Sequence, residues 1–287
     1  MRNCATYCKF QHQHHPPSSF FVALGKNKMS SAIRTITTMR AAGRPFILLF
    51  GDSITEQGFG MEGNTGWASL LAADYSRRAD VFNRGYFGYN SKHAVENALP
   101  SVVPLLQNTN DELLFSTVYF GANDATTPGS RQYISEAEYA SNLTKIINTI
   151  RESCSSKNNQ QLSSSLSPII LMTPPPLHDE AWANFKGLAN RSNERHFLYG
   201  KIVKEVAQKH DQCSILDVWS LLDGSTSPSI YGKYLTDGLH LNDLGNRAIY
   251  SGLLELLQKD YPGVLPRQNE ADQTGVPLQG KLWDELR

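Results

Sequence analysis

No apolar run approaches the roughly 20 residues that a bilayer span requires; residues 20–24 and 46–50, the longest, have five each. Cysteine is scarce, four in 287 residues, and no pair has a Cys-x-x-Cys or zinc-finger spacing. That excludes a disulfide scaffold and a structural zinc module, and predicts a reducing compartment. Acid is missing from the N-terminal segment: residues 1–51 hold seven Lys/Arg and no Asp or Glu. The chain has 27 residues of each sign, so residues 52–287 carry a net charge of −7. An acidic body lacks the basic face of a nucleic-acid-binding domain. The Gly-x-Ser-x-Gly elbow of the α/β-hydrolase fold is also absent. What remains is globular composition, 40% hydrophobic and 19% charged, in a chain long enough for a sizeable core.

Residues 1–44 form a basic extension outside the fold, rich in Ser, Thr and His. Its composition suits an unstructured tail or an Arg-rich, acid-poor organellar presequence. Initiation at Met29 or Met39 is a further reading, and a cytoplasmic body is the expectation otherwise. The domain proper runs over 45–287.

Within it, short apolar runs that end at glycine or at polar residues alternate with helical patterns. Residues 45–50, 79–83, 113–120, 168–172 and 214–218 predict strands. Residues 67–78, 91–107, 191–209 and 242–259 predict helices, the second broken at Pro100 and Pro104 and the last stopped at Pro262-Gly263. Leu198, Ile202 and Val206 form the apolar stripe of the third. Ser135 and Glu138 form a capping box ahead of a helix whose apolar face is Tyr139, Leu143, Ile146, Ile147 and Ile150. Residues 153–167, with seven serines, predict a solvated loop. Five strand–helix alternations imply a parallel sheet with helices on both faces, and reactive residues then belong beyond the strands' carboxyl ends.

Four polar segments fall there. Gly51-Asp52-Ser53-Ile54-Thr55 follows the first strand and Arg84-Gly85-Tyr86-Phe87-Gly88 the second. Gly121-Ala122-Asn123-Asp124 follows the third, and Asp237-Gly238-Leu239-His240 precedes the last helix. Asp237 and His240, three apart in a turn, can face one another; the carboxylate then fixes the tautomer and leaves the other ring nitrogen as a base. A serine hydroxyl needs such a base to be a nucleophile. Ser53 alone reads equally as a helix N-cap. Gly88 offers a backbone N–H with no Cβ in the way, and Asn123 a neutral amide; together they are candidate donors to a developing oxyanion.

The ordered set resembles the four blocks of the SGNH hydrolases of the GDSL esterase/lipase group. The phrases FGDSITE, RGYFGYNS, FGANDA and DGLHLN are similar to those of the isoamyl acetate-hydrolysing esterase-like subgroup. The resemblance covers residues 45–262, with a tail motif near Leu282-Trp283. It implies a flavodoxin-like three-layer α/β/α sandwich with a five-stranded parallel sheet, and a serine esterase acting on small-molecule esters. It also implies Ser53 as nucleophile, His240 as base and acid, Asp237 as its orienter, and Ser53, Gly88 and Asn123 as the oxyanion hole. No metal or organic cofactor is implied; acetyl or other short-chain esters are the subgroup's implied substrates.

Other residues have blander roles. Asp52 and Asp124 should bind loop backbone, and Glu56 reads as a helix-start acid. His93, His178, His196 and His210 have no partner at useful spacing. Thr173-Pro174-Pro175-Pro176 reads as a rigid loop bordering the site, and Trp67, Trp182 and Trp219 as core or pocket wall. Two rival classes stay open. In one, Asp52, Asp124, Asp237 and His240 hold a hard cation in a phosphoesterase. In the other, the chain is a non-catalytic flavodoxin-like module.

Overall fold

The computed structural model describes residues 44–61, 63–108, 111–155, 166–268 and 274–278. All of them lie in the compact unit Ala42–Arg287. The expectations for residues 1–43, for 156–165 of the Ser-rich stretch and for Leu282-Trp283 lie outside the described residues.

Five strands, β1 (Phe46–Gly51), β2 (Asp80–Gly85), β3 (Leu113–Tyr119), β4 (Ile169–Met172) and β5 (Cys213–Leu216), pair in parallel in the order 2-1-3-4-5. This is the flavodoxin-like order, which reverses direction between β1 and β3. β1 and β3 are buried at every position. The helices used below are α1 (Ser53–Glu56), α2 (Trp67–Asp74), α3 (Leu99–Asn108), α4 (Glu136–Ser155), α5 (Asp179–Lys186), α6 (Asn193–Ala207) and α7 (Asp243–Asp260).

Side chains of a strand alternate between faces, and here they divide into two cores. Ile47 and Leu49 join Ile170 and Met172 beneath α2 and α7, against Trp67, Leu71, Ile249 and Leu253. Phe46, Leu48 and Phe50 join Ile169 and Leu171 on the opposite face, against α3, α4 and α6. The predicted face of α4 (Tyr139, Leu143, Ile146, Ile147, Ile150) lies wholly in that second core. The register between β1 and β3 shifts at Phe46/Ile47, which pair with Leu113 and Phe115. The extra residue is a bulge, and it explains why adjacent Leu114 and Phe115 belong to one core while Leu113 belongs to the other.

Several expectations need correction. Pro100 and Pro104 do not break the helix, which runs from Ser91 through the five-residue π segment Ala94–Ala98 into α3. A proline ring crowds the carbonyl four residues back. For Pro100 that is Glu96, inside the π segment, where the widened turn gives room. The Ser-rich stretch begins inside α4: its last turn reaches Ser155, and Ser153 is buried. Leu198 is only partly buried, and Tyr199 and Val203 take the centre of the α6 face. The last strand ends at Leu216, and Asp217 caps the short helix Val218–Leu221 that takes Val218. Among the described residues, no helix is long and apolar enough to cross a membrane.

Candidate active site

The site forms where the chain leaves β1. Asp52 is the N-cap of α1, and its Oδ1 accepts the Ile54 N–H at 2.9 Å. Asp52, not Ser53, therefore satisfies the orphan amide of the helix start, and the Ser53 hydroxyl is left for other use. Ser53 Oγ lies 2.9 Å from His240 Nε2. Asp237 Oδ2 lies 2.7 Å from His240 Nδ1. A carboxylate only accepts, so Nδ1 carries a proton; in the neutral imidazole Nε2 is then the acceptor for the Ser53 hydroxyl.

The turn carrying Asp237 and His240 is built to hold this pair. Asp237 Oδ1 accepts the N–H groups of Leu239 at 3.0 Å and His240 at 2.8 Å. Gly238 stands at φ +95, and a Cβ there would meet the Trp182 amide nitrogen at 2.5 Å. Burial raises Asp237, but the His240 hydrogen bond and charge, with the two amides, outweigh it and bring the carboxyl down to about 2. The imidazole ring lies between Phe87 and Trp182, each 6.2 Å away centroid to centroid.

Gly88 turns at φ +74, a left-handed conformation that favours glycine. Asn123 Nδ2 donates to Tyr89 O at 2.8 Å, while its Oδ1 accepts from Gln132 Nε2 at 3.0 Å and Arg191 Nη2 at 2.9 Å. Ser53, Gly88, Asn123 and His240 line one cavity of about 220 Å³, with Trp182 and Arg191 in its wall. A second cavity, of about 970 Å³, shares Phe87, Gly88, Gln132, Leu188 and Asn190 with the first. All five residues expected to do chemistry thus meet at the carboxyl edge of the sheet, Asp237 behind His240.

The remaining expectations divide. Asp124 binds backbone as expected, its Oδ1 taking the Ser91 N–H at 2.8 Å. Burial pushes Asp52 up to about 6 against the Ile54 amide hydrogen bond, and Asp124 up to about 7 against hydrogen bonds from the Ser91 side chain and amide. Glu56 is more than a helix-start acid: its Oε2 accepts the Phe87 N–H at 2.5 Å, bracing the loop that carries Gly88. His196 does have a partner, Pro175 O at 2.8 Å from Nδ1, and burial lowers it to about 3. His178 caps α5, the His93 ring lies tilted against Tyr89 at 5.4 Å between centroids, and His210 Nδ1 lies 3.4 Å from Arg151. Residues 173–176 are buried and line neither cavity, so they do not border the site. Trp67 is core and Trp182 pocket wall, whereas Trp219 is partly buried, its indole N–H held by Asn193. Arg191 and Gln132 were not anticipated. Among the described residues, no three His, Cys, Asp or Glu side chains converge as metal ligands, so Asp52, Asp124, Asp237 and His240 do not form one cluster.

A doubly wound parallel sheet with a serine at the end of β1, hydrogen-bonded to an imidazole, is the arrangement of a serine hydrolase. The GDSL-like lipase/acylhydrolase family model matches residues 49–248, and the chain belongs to that family. It is 33% identical over 244 residues to an isoamyl acetate-hydrolyzing esterase 1 homolog of Rattus norvegicus, covering 82% of this chain and 91% of that protein. A GDSL esterase/lipase of Arabidopsis thaliana is 35% identical over 224 residues, covering 75% of this chain and 86% of that one. Among solved structures, a carbohydrate acetylesterase family member from Sinorhizobium meliloti superposes with a TM-score of 0.54 at 21% identity, covering 75% of this chain and 98% of that one. An acetylxylan esterase of Geobacillus stearothermophilus does so at 0.53 and 16% identity, covering 76% and 95%. These last two likenesses bear on the fold.

Proposed function

We propose that the protein hydrolyses short-chain carboxylic esters through an acyl-enzyme intermediate on Ser53. The observation that carries this reading is the unbroken chain from Asp237 Oδ2 through the His240 ring to Ser53 Oγ, at 2.7 and 2.9 Å. Ser53 Oγ attacks the ester carbonyl carbon as its proton passes to His240 Nε2. Asp237 holds the ring and stabilises the imidazolium. The negative charge on the carbonyl oxygen is met by the N–H groups of Ser53 and Gly88 and by the second N–H of the Asn123 amide. His240 then gives its proton to the leaving alcohol oxygen as the C–O bond breaks. A water, deprotonated by the same nitrogen, attacks the acyl group and regenerates Ser53.

The cavity of about 220 Å³ at Ser53 supports a short acyl group, as does the relative named for isoamyl acetate hydrolysis. The reaction consumes only ester and water, so the reading calls for no cofactor. A fluorophosphonate should label Ser53, and Ser53→Ala should abolish both labelling and hydrolysis of p-nitrophenyl acetate. Activity lost in EDTA with no labelling would instead point to the metal-dependent class. Rates that rise from acetate to octanoate esters would refute the short-chain part alone.

A further inference from the structure

We infer that Arg191 is a positioning residue for this reaction, one that orients and polarises the Asn123 amide through its oxygen. The inference rests on the reading of Asn123 as an oxyanion donor. Arg191 is buried, 8% exposed, in the wall of the cavity that Ser53 and His240 line. Its Nη2 reaches Asn123 Oδ1 at 2.9 Å and Gln132 Oε1 at 3.1 Å, and its Nη1 donates to Ala122 O. Trp182 covers the guanidinium, 4.9 Å from ring centroid to Cζ. Gln132 closes the arrangement: its Nε2 donates both to Asn123 Oδ1 at 3.0 Å and to Gly88 O at 2.7 Å.

Each of these contacts has one sense only. A guanidinium has donors and no acceptor, so whichever end of the Asn123 amide faces it must be the oxygen. Two donors on Oδ1 therefore force Nδ2 toward Tyr89 O and the cleft. A flipped amide would set NH₂ against a cation and turn a carbonyl oxygen toward a developing oxyanion, repelling it. The cation also draws electron density to Oδ1 and makes the opposite N–H a stronger donor. That effect is large in a water-excluded wall and small in solvent. Asp237, ionised down to about pH 2, compensates its charge, and Asp52 and Asp124 add to this only once they ionise, above about pH 6 and about pH 7.

Positioning through Asn123 differs from simple wall-building in one measurable way: it needs Asn123. Arg191→Met should lower kcat on p-nitrophenyl acetate by about tenfold to a hundredfold, less than the roughly 100- to 1,000-fold loss for removing a donor outright. KM should change less than about threefold, because the oxyanion forms only in the transition state. In an Asn123→Ala background the same substitution should cost less than about threefold. Phenylboronic acid, which forms an anionic tetrahedral adduct on a serine, should lose affinity in step with kcat. If Arg191→Met fails to fold by thermal melting, Gln132→Met carries the same cycle, since it removes one donor from Oδ1 and leaves the buried cation in place. Equal losses in both backgrounds, or a loss confined to KM, would overturn the inference. A near-normal rate for Asn123→Ala alone would overturn the oxyanion reading beneath it.

Discussion

Asp124→Asn tests the electrostatics of the buried loops. Asp124 is fully buried; Oδ1 accepts the Ser91 N–H, and Oδ2 is one of the buried atoms without a hydrogen-bond partner. Its carboxyl is raised from 3.8 to about 7, chiefly by burial. The folded protein therefore keeps a proton that the unfolded chain loses, and stability falls as pH rises between those values. Integrated from pH 5 to pH 8, that loss is about 3 kcal/mol. Asp52, raised to about 6, adds a loss of about 1 kcal/mol over the same interval. His196 opposes both. Lowered from 6.5 to about 3, it stays neutral in the fold while the unfolded chain takes up protons at pH 5. That contribution rises by about 2 kcal/mol towards pH 8. Because these terms offset one another, the wild-type profile alone is a poor test, and the difference between proteins is a good one. Asparagine keeps the acceptor for Ser91 and never ionises. Any cost of placing an NH₂ group at the Oδ2 position is fixed, about 1–3 kcal/mol where it finds no acceptor, and cancels between pH values. Urea unfolding followed by tryptophan fluorescence should show Asp124→Asn gaining about 3 kcal/mol on the wild type between pH 5 and pH 8. A difference constant to within about 0.5 kcal/mol would show that Asp124 is ionised in the fold at pH 5 and refute the argument.

His240→Ala should lose at least about a thousandfold in kcat; a variant within tenfold of wild type would remove His240 from the reaction. Asn123→Ala should cost on the order of 3 kcal/mol of transition-state stabilisation, read from kcat/KM. Asp237, held ionised down to about pH 2, should add no acid limb to the pH–rate profile above about pH 4; a limb there that Asp237→Asn removes would show that its carboxyl titrates in that range and refute the reading. Gly238→Ala should destabilise the protein by at least about 2 kcal/mol and lower kcat as well, since a Cβ at that φ meets backbone. Stability lost without any fall in kcat would mean that the turn does not set the Asp237–His240 geometry.

The parts of this site that the sequence exposes are those with a local cause. Ser53, Asn123 and the Asp237–His240 pair each stand within a few residues of a strand end or a helix start, where the pattern of apolar runs already fixes their edge of the sheet. Arg191 meets Asn123 across 68 positions of sequence, and no short-range pattern encodes that. One signal was present: Arg191 directly precedes Ser192, the N-cap of α6, where the helix dipole disfavours a cation. A charge in an unfavourable local position suggests a reason elsewhere in the fold. Glu56 is the first-turn acid the sequence suggests, and its second role at Phe87 stays hidden because the local explanation is already sufficient. The bulge in β3 was hidden because Leu113, Leu114 and Phe115 are all apolar, and a run without alternation carries no phase. Pro100 is tolerated because the rule against it assumes a regular turn, and the turn before it is a wide one; Pro104 lies within the regular helix, and that reason does not extend to it.

Ser53 and His240 are 187 positions apart, and the last strand ends at Leu216. During translation the ribosome thus delivers all five described strands, together with Ser53, Gly88 and Asn123, before residue 240. A nascent or prematurely terminated chain in that interval lacks His240, the group proposed to take the serine's proton. On that proposal, a chain that stops short of residue 240 completes its sheet without gaining the power to hydrolyse esters.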